Sequence, residues 1–218
     1  MKKIFVLLIA VVIVIGLGAC TNTAASQKYN KKSLGFANPI IDVPEDAIKI
    51  PEGEQEALFL VGRDIKSGMY IVVATKESSS GFWATYKDDR GEPNEKTDAN
   101  DLFDYFSYVV LKDGYWLKLS LGANAFPAPS KLSIEAVNGV YPPGIYRIGT
   151  DLVAGTYSIK VVNDNHPEWR IFKSVSDTMS YITNAIDYDL KGHDRELTLK
   201  NGEVLVLDDM TISSEPVR

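Results

Sequence analysis

Cysteine is almost absent: Cys20 is the single one in 218 residues. No disulfide can form within the chain, so the fold must stand on its apolar core. Histidine is nearly as scarce. His166 and His193 sit in loop-like text, "NDNHPEW" and "LKGHDREL", without the ligand spacing of a zinc site, and no metal role is expected of them. A Gly-any-Ser-any-Gly elbow and a phosphate-binding loop are both missing, so no catalytic residue stands out and no cofactor is expected. Basic stripes are missing too. The formal charge is −6, a balance that repels nucleic acid. No apolar run reaches the roughly 20 residues that span a bilayer.

What is present starts at the N-terminus. Met1-Lys2-Lys3 is followed by an unbroken apolar run over residues 4–15 and then by Gly16-Leu17-Gly18-Ala19-Cys20. A positive start, a short apolar stretch and small residues read as a secretory signal, here residues 1–19. "LGAC" resembles the lipobox of bacterial lipoprotein signal peptides. That resemblance implies cleavage before Cys20 and a diacylglycerol on its thiol. Two acyl chains hold a protein stably at a membrane where one does not, at about 0.8 kcal/mol per buried methylene. The expected location is the outer face of the cytoplasmic membrane, with the membrane itself as a partner through the lipid.

Residues 20–56 read as a lipidated end and a tether. Residues 21–33 are small and polar with nothing to bury. From residue 36 apolar side chains return, punctuated by Pro39, Pro44 and Pro51, which forbid helix and central strand. An extended segment lying along the folded body is expected.

The body repeats itself. "VGRDIKSGMY", residues 61–70, returns as "IGTDLVAGTY", residues 148–157. In both, an alternating apolar stretch meets a corner glycine, Gly62 or Gly149, whose lack of a Cβ opens backbone angles closed to other residues. Asp64 and Asp151 are expected to close Asx-type turns on backbone two residues on. Gly68 and Gly155 make a second turn before Tyr70 and Tyr157 open the next strand. A second phrase, "LKDGYWLKL" (111–119), matches "LKNGEVLVL" (199–207). Asp113-Gly114 and Asn201-Gly202 between alternating runs signal type I′ hairpins. All these residues have work in chain reversal, and none needs a substrate.

Two phrases holding register point to a tandem duplication, with β modules over 57–126 and 127–218. "GFWATY", "FSYVVL", "EWRIF", "RELTL" and "KLSIEAV" (131–137) read as further strands. Helical signals are weak: a short helix within 177–188 and one turn of helix within 98–106. The expected fold is all-β, two sandwich-like modules packed on each other because each core alone is thin.

A lipobox combined with "VGxDIxxGxY" phrases and an "LxDGxYLxL"-like stretch resembles uncharacterised lipoproteins and secreted proteins of Gram-positive bacteria. The second phrase departs with Leu152 for Ile and Asn201 for Asp. The resemblance implies a cell-surface lipoprotein and carries over no catalytic residue.

Two features could carry function. Residues 87–104 hold seven carboxylates against three basic groups but lack the EF-hand order, and read as a solvated loop whose charge discourages aggregation. Trp83, Trp116 and Trp169 could be binding platforms, but packing is the favoured reading. The leading expectation is a non-catalytic envelope module binding a protein, peptide or glycan, its affinity helped by duplication. The rivals are an envelope hydrolase and a purely structural component. A cleft with a desolvated carboxylate pair would favour the hydrolase, whereas closed sandwiches with surface acids only would favour binding.

Overall fold

Alternating side chains become strands throughout, and the chain is all-β. The computed structural model describes residues 35–36, 40–75, 78, 80–87, 97–163, 166–179 and 182–217. The expected signal peptide, Cys20, the polar tether and the acidic stretch 88–96 lie outside them.

In the first lobe, β1 (Glu56–Leu60), β2 (Gly68–Ala74), β3 (Gly81–Tyr86), β4 (Thr97–Phe103), β5 (Phe106–Leu111), β6 (Trp116–Ser120) and β7 (Ala123–Pro127) make two antiparallel sheets. Sheet I runs β1-β6-β3-β4 and sheet II runs β5-β2-β7. The second lobe has β8 (Val140–Tyr141), β9 (Gly144–Arg147), β10 (Gly155–Val161), β11 (Glu168–Phe172), the one-turn helix α1 (Val175–Thr178), β12 (Asp187–Asp189), β13 (Arg195–Leu199), β14 (Val204–Asp208) and β15 (Met210–Ser213). Sheet III runs β9-β14-β11-β12, and sheet IV β13-β10-β15-β8. Strand for strand, III is wired like I, and IV like II with β8 added. The registers agree as well. Trp83 lies opposite Leu119 and Asp101, and Trp169 lies opposite Leu207 and Asp189.

Burial follows the pleat, since successive side chains point to opposite faces. On β2, Tyr70, Val72 and Ala74 face sheet I and pack with Trp83, Leu117 and Leu119. Ile71 and Val73 face the other way and join Phe106, Tyr108 and the second lobe in one continuous core. Sheet II is thus apolar on both faces, and the lobes share a core. The entering segment belongs to the body too: Phe36 and Ile41 are buried, and Ile48 exchanges two backbone hydrogen bonds with Ala125, at 2.7 and 2.9 Å. Among the described residues no helix is long and apolar enough to cross a membrane.

Several expectations need correction. The turns at Asp113-Gly114 and Asn201-Gly202 do not close hairpins. The strands they join, β5 with β6 and β13 with β14, lie in different sheets. Only the glycines have positive φ, 81° and 87°, where a type I′ turn needs it at both central residues; the chain crosses the sandwich instead of doubling back. Residues 131–137 are not a strand. Their only pairing among the described residues is a bridge from Val137 to Val140 at the start of β8. The turn of helix expected within 98–106 is instead the end of β4 and the start of β5. Ala99 and Phe103 alternate into the core of the first lobe, and that burial overrides a weak helical propensity. The helix expected within 177–188 is confined to α1, and Asp187–Asp189 pair with β11 as a strand.

Candidate functional site

The repeated corners are built identically. At the first, the Gly62 amide donates to the Ile65 carbonyl at 2.7 Å and the Asp64 amide to the Leu60 carbonyl at 2.8 Å. At the second, Gly149 donates to Leu152 at 2.6 Å and Asp151 to Arg147 at 2.7 Å. The carboxylates do not reach two residues forward as an Asx turn would. Each reaches four residues back, accepting from the Leu60 amide at 2.8 Å and the Arg147 amide at 2.9 Å, which caps the last strand donor before the corner. Each corner is also bonded to the distant turn. The Val61 carbonyl accepts from Gly114 and the Ile148 carbonyl from Gly202, both at 2.9 Å. That link is why the two phrases keep register in the sequence. Gly68 and Gly155 start β2 and β10.

The corners differ in what surrounds them. Asp64 lies at the surface, gripped by Arg63 at 2.7 Å. That hydrogen bond, with the one from Leu60, holds its carboxyl at about 2. Asp151 is buried, 1% exposed, and pairs with Arg147 at 2.7 Å. It also accepts from the Leu132 amide at 3.0 Å and the Tyr108 hydroxyl at 3.2 Å. Burial, and then the Asp151 charge, push the Tyr108 hydroxyl well above its usual range. This corner is a joint between the lobes, with Arg147 stacked over the Tyr108 ring at 4.8 Å.

None of the corner residues lines the principal cavity. That cavity is a cleft of about 740 Å³ between the lobes. All seven residues of β4 line one side of it. The facing wall is sheet III, with Ile145, Glu168, Arg170, Val206 and Asp208. Arg170, 9% exposed at its side chain, lies between Asp208 at 2.5 Å and Glu168 at 3.2 Å. Asp209 sits beside them, accepting from the His166 amide at 3.2 Å and the Asn163 side chain at 3.4 Å.

Asp101 lies on the β4 side of the cleft, partly buried. It accepts from the Ser107 hydroxyl, which accepts in turn from the Trp83 indole N–H at 3.0 Å. Loss of hydration, and then the nearby Asp208 charge, push its carboxyl up to about 6. Desolvation raises Asp209 as well. A carboxyl that releases its proton near neutrality, across from a second carboxylate, can bind a cationic group or serve as a general acid. Among the described residues no group of three or more histidine, cysteine, aspartate or glutamate side chains could hold a metal ion.

Trp83 borders the cleft as the buried donor to Ser107, while Trp116 and Trp169 are not among its described lining residues. Trp83 and Trp169 are buried in equivalent places, at 2% and 0% exposure, while Trp116 is half-buried with Arg63 over its ring at 5.7 Å. At the position of Ser107 the second lobe has Arg195, stacked on Trp169 at 5.0 Å. The Trp169 indole N–H accordingly has no partner among the described residues.

Sequence reasoning missed Arg170 and Asp208 and placed Asp101 in a loop. A signal existed for Arg170. Aligning the equivalent tryptophans sets it against Ala84, so one lobe has a guanidinium where the other has a methyl group. Compared with known proteins, the chain matches no family model and no curated sequence.

Proposed function

We propose that this is a lipid-anchored extracytoplasmic protein that binds a component of the cell envelope in the cleft between its lobes. The observation that carries the reading is the cleft itself, with Asp101 and Asp208 facing it and Arg170 almost buried in its wall. Ion-pairing groups held in a concave, partly desolvated site are the usual means of orienting a ligand. The anchor rests on "LGAC" and on Cys20 being the lone cysteine. The two lobes read as descendants of one duplicated module, supported by their shared wiring and identically bonded corners.

Placing a photo-crosslinking residue at Asn100, exposed at the cleft, tests the reading in membranes from cells making the full-length chain. An envelope adduct should form there and not from the same residue at Lys160, on the far face of sheet IV. Equal adducts at both positions would count against the cleft. Fatty-acid labelling of the native chain but not of Cys20→Ala tests the anchor.

A second reading is favoured by one observation: Asp101, raised to about 6, shares the cleft with a second carboxylate, Asp208, which meets in one of its two acids the condition set for a glycan hydrolase. Asp101 would protonate the leaving oxygen, and Asp208 would act from the other side. Binding leads because Asp208 is already engaged by Arg170. Release of reducing ends from purified envelope glycan, lost in Asp101→Asn, would reverse that order.

A further inference from the structure

We infer that the ligand of this cleft is an extended, lysine- or arginine-bearing polypeptide segment that adds as a fifth strand to the open edge of β4. The inference rests on the cleft being the binding site and goes further, to what fills it.

The first argument is geometric. β4 ends sheet I, pairing only with β3 among the described residues. Residues of both pleat faces line the cleft, from Thr97 through Phe103. Ala99 and Phe103 turn their side chains into the first lobe's core, so a strand that still borders the cavity along its whole length presents its edge to it. Among the described residues, alternate backbone N–H and C=O groups along that edge have no strand partner, and no turn or loop backbone bonds to them. An open edge seven residues long, roughly 23 Å, is a template for another strand.

Charge then selects the strand. Asp101, Asp104 and Asp98, the last paired with Lys87 and Lys112, flank the edge, and Glu168, Asp208 and Asp209 stand near or across from it, with Arg170 as the one guanidinium among the described lining residues. A second β4 edge, or any acidic segment, would bring like charges together in a partly desolvated space. A segment with cationic side chains on one face would be attracted. Apolar contacts are available for its other face. Ile145 and Val206 lie on the facing wall. That wall continues onto β12 through Tyr188, the register partner of Arg170; Tyr188 and Ile186 are each 49% exposed. Backbone pairing for affinity and alternate side-chain pockets for specificity are how sheets take up peptides.

The test titrates the full-length chain in detergent with a fluorescent heptapeptide alternating valine and lysine. Two control peptides are used: one with alternate backbone amides N-methylated, the other with glutamate for lysine. The parent peptide should bind, more weakly as salt rises. Both controls should lose at least about tenfold in affinity, as the loss of several hydrogen bonds or a charge reversal requires. The double change Asp101→Asn and Asp208→Asn, with an unchanged circular dichroism spectrum, should weaken the parent peptide by about fivefold or more. If the N-methylated peptide binds as tightly as the parent, or if none binds, strand addition is wrong. The cleft reading then stands or falls on the Asn100 crosslink. If the parent peptide binds but ignores the double change, it sits elsewhere and strand addition at β4 is wrong, while the cleft reading again rests on the Asn100 crosslink.

Discussion

Ile71 and Ser158 stand at the same place in equivalent strands, each the first residue after the shared Gly-any-Tyr. Ile71 is fully buried between the lobes, whereas Ser158 lies on the outer face of sheet IV. The pattern extends along the strands: Val73 is matched by Lys160, and Tyr108 on β5 by Glu196 on β13. One sheet has an apolar outer face that receives its neighbour, and the other has a polar one.

The asymmetry predicts opposite outcomes for matched changes. Val73→Lys should destabilise the protein by about 3 kcal/mol or more, because it puts a charge without a partner into the shared core. Lys160→Val should shift stability by no more than about 0.5 kcal/mol, as exposed substitutions do. Urea unfolding of the two variants measures both.

Asp101 makes stability depend on pH in the direction opposite to an ion-paired acid. Its folded pKa, about 6, lies above the usual 3.8, so between those values the folded state holds the proton more tightly than the unfolded chain. This group's contribution is therefore largest below about pH 4 and is lost as pH rises through 6. Asp101→Asn should raise stability at pH 7.5 by about 1–2 kcal/mol, a figure reduced from the full shift because the carboxyl borders cleft water. It should also flatten the decline between pH 4 and 6, with Asp209 leaving a smaller slope of the same sign. Denaturant midpoints across that range, for native chain and variant, check it.

The two corner aspartates should not respond alike. Asp151→Ala strands the Arg147 guanidinium and the Leu132 amide at the lobe joint, and should cost about 3–5 kcal/mol, as breaking a buried pair does. Asp64→Ala removes a surface partner of Arg63 and should move the unfolding midpoint far less. Equal effects would mean that the second corner is not a joint.

Gly149→Ala should be worse than Gly202→Ala, although both sites have φ near 88°. A Cβ at Gly149 would meet the Asn201 side chain at 2.8 Å, while nothing stands within 4 Å at Gly202. The second change should cost about 1–2 kcal/mol from left-handed backbone alone. The first should exceed it, because Asn201 must also move, and thermal unfolding would rank them.

Much of the scaffold was legible because it is local. Gly62 and Gly149 mark corners by conformational freedom, and "YIVVA" or "VLVL" marks strands by apolar content. The crossing at Asp113-Gly114 was misread because the same dipeptide serves hairpins and sandwich corners. Which sheet receives the next strand is decided by its pairing with β3 around Trp83, far away in sequence. The cleft was invisible for the same reason. Asp101, Arg170 and Asp208 come from three separate strands, and nothing near any one of them in the chain announces the others. Asp101 even sits in text rich enough in acids to pass for a solvated loop.

The bridge between Ile48 and Ala125 has a mechanical consequence. It is a single antiparallel pair, and the chain before it carries whatever load reaches the body from its N-terminal end. Tension drawn from that end would meet these two hydrogen bonds before any sheet. Once Phe36 and Ile41 had been drawn from the shared core, Ile48 would peel away, releasing some slack while the strands of both lobes stayed paired.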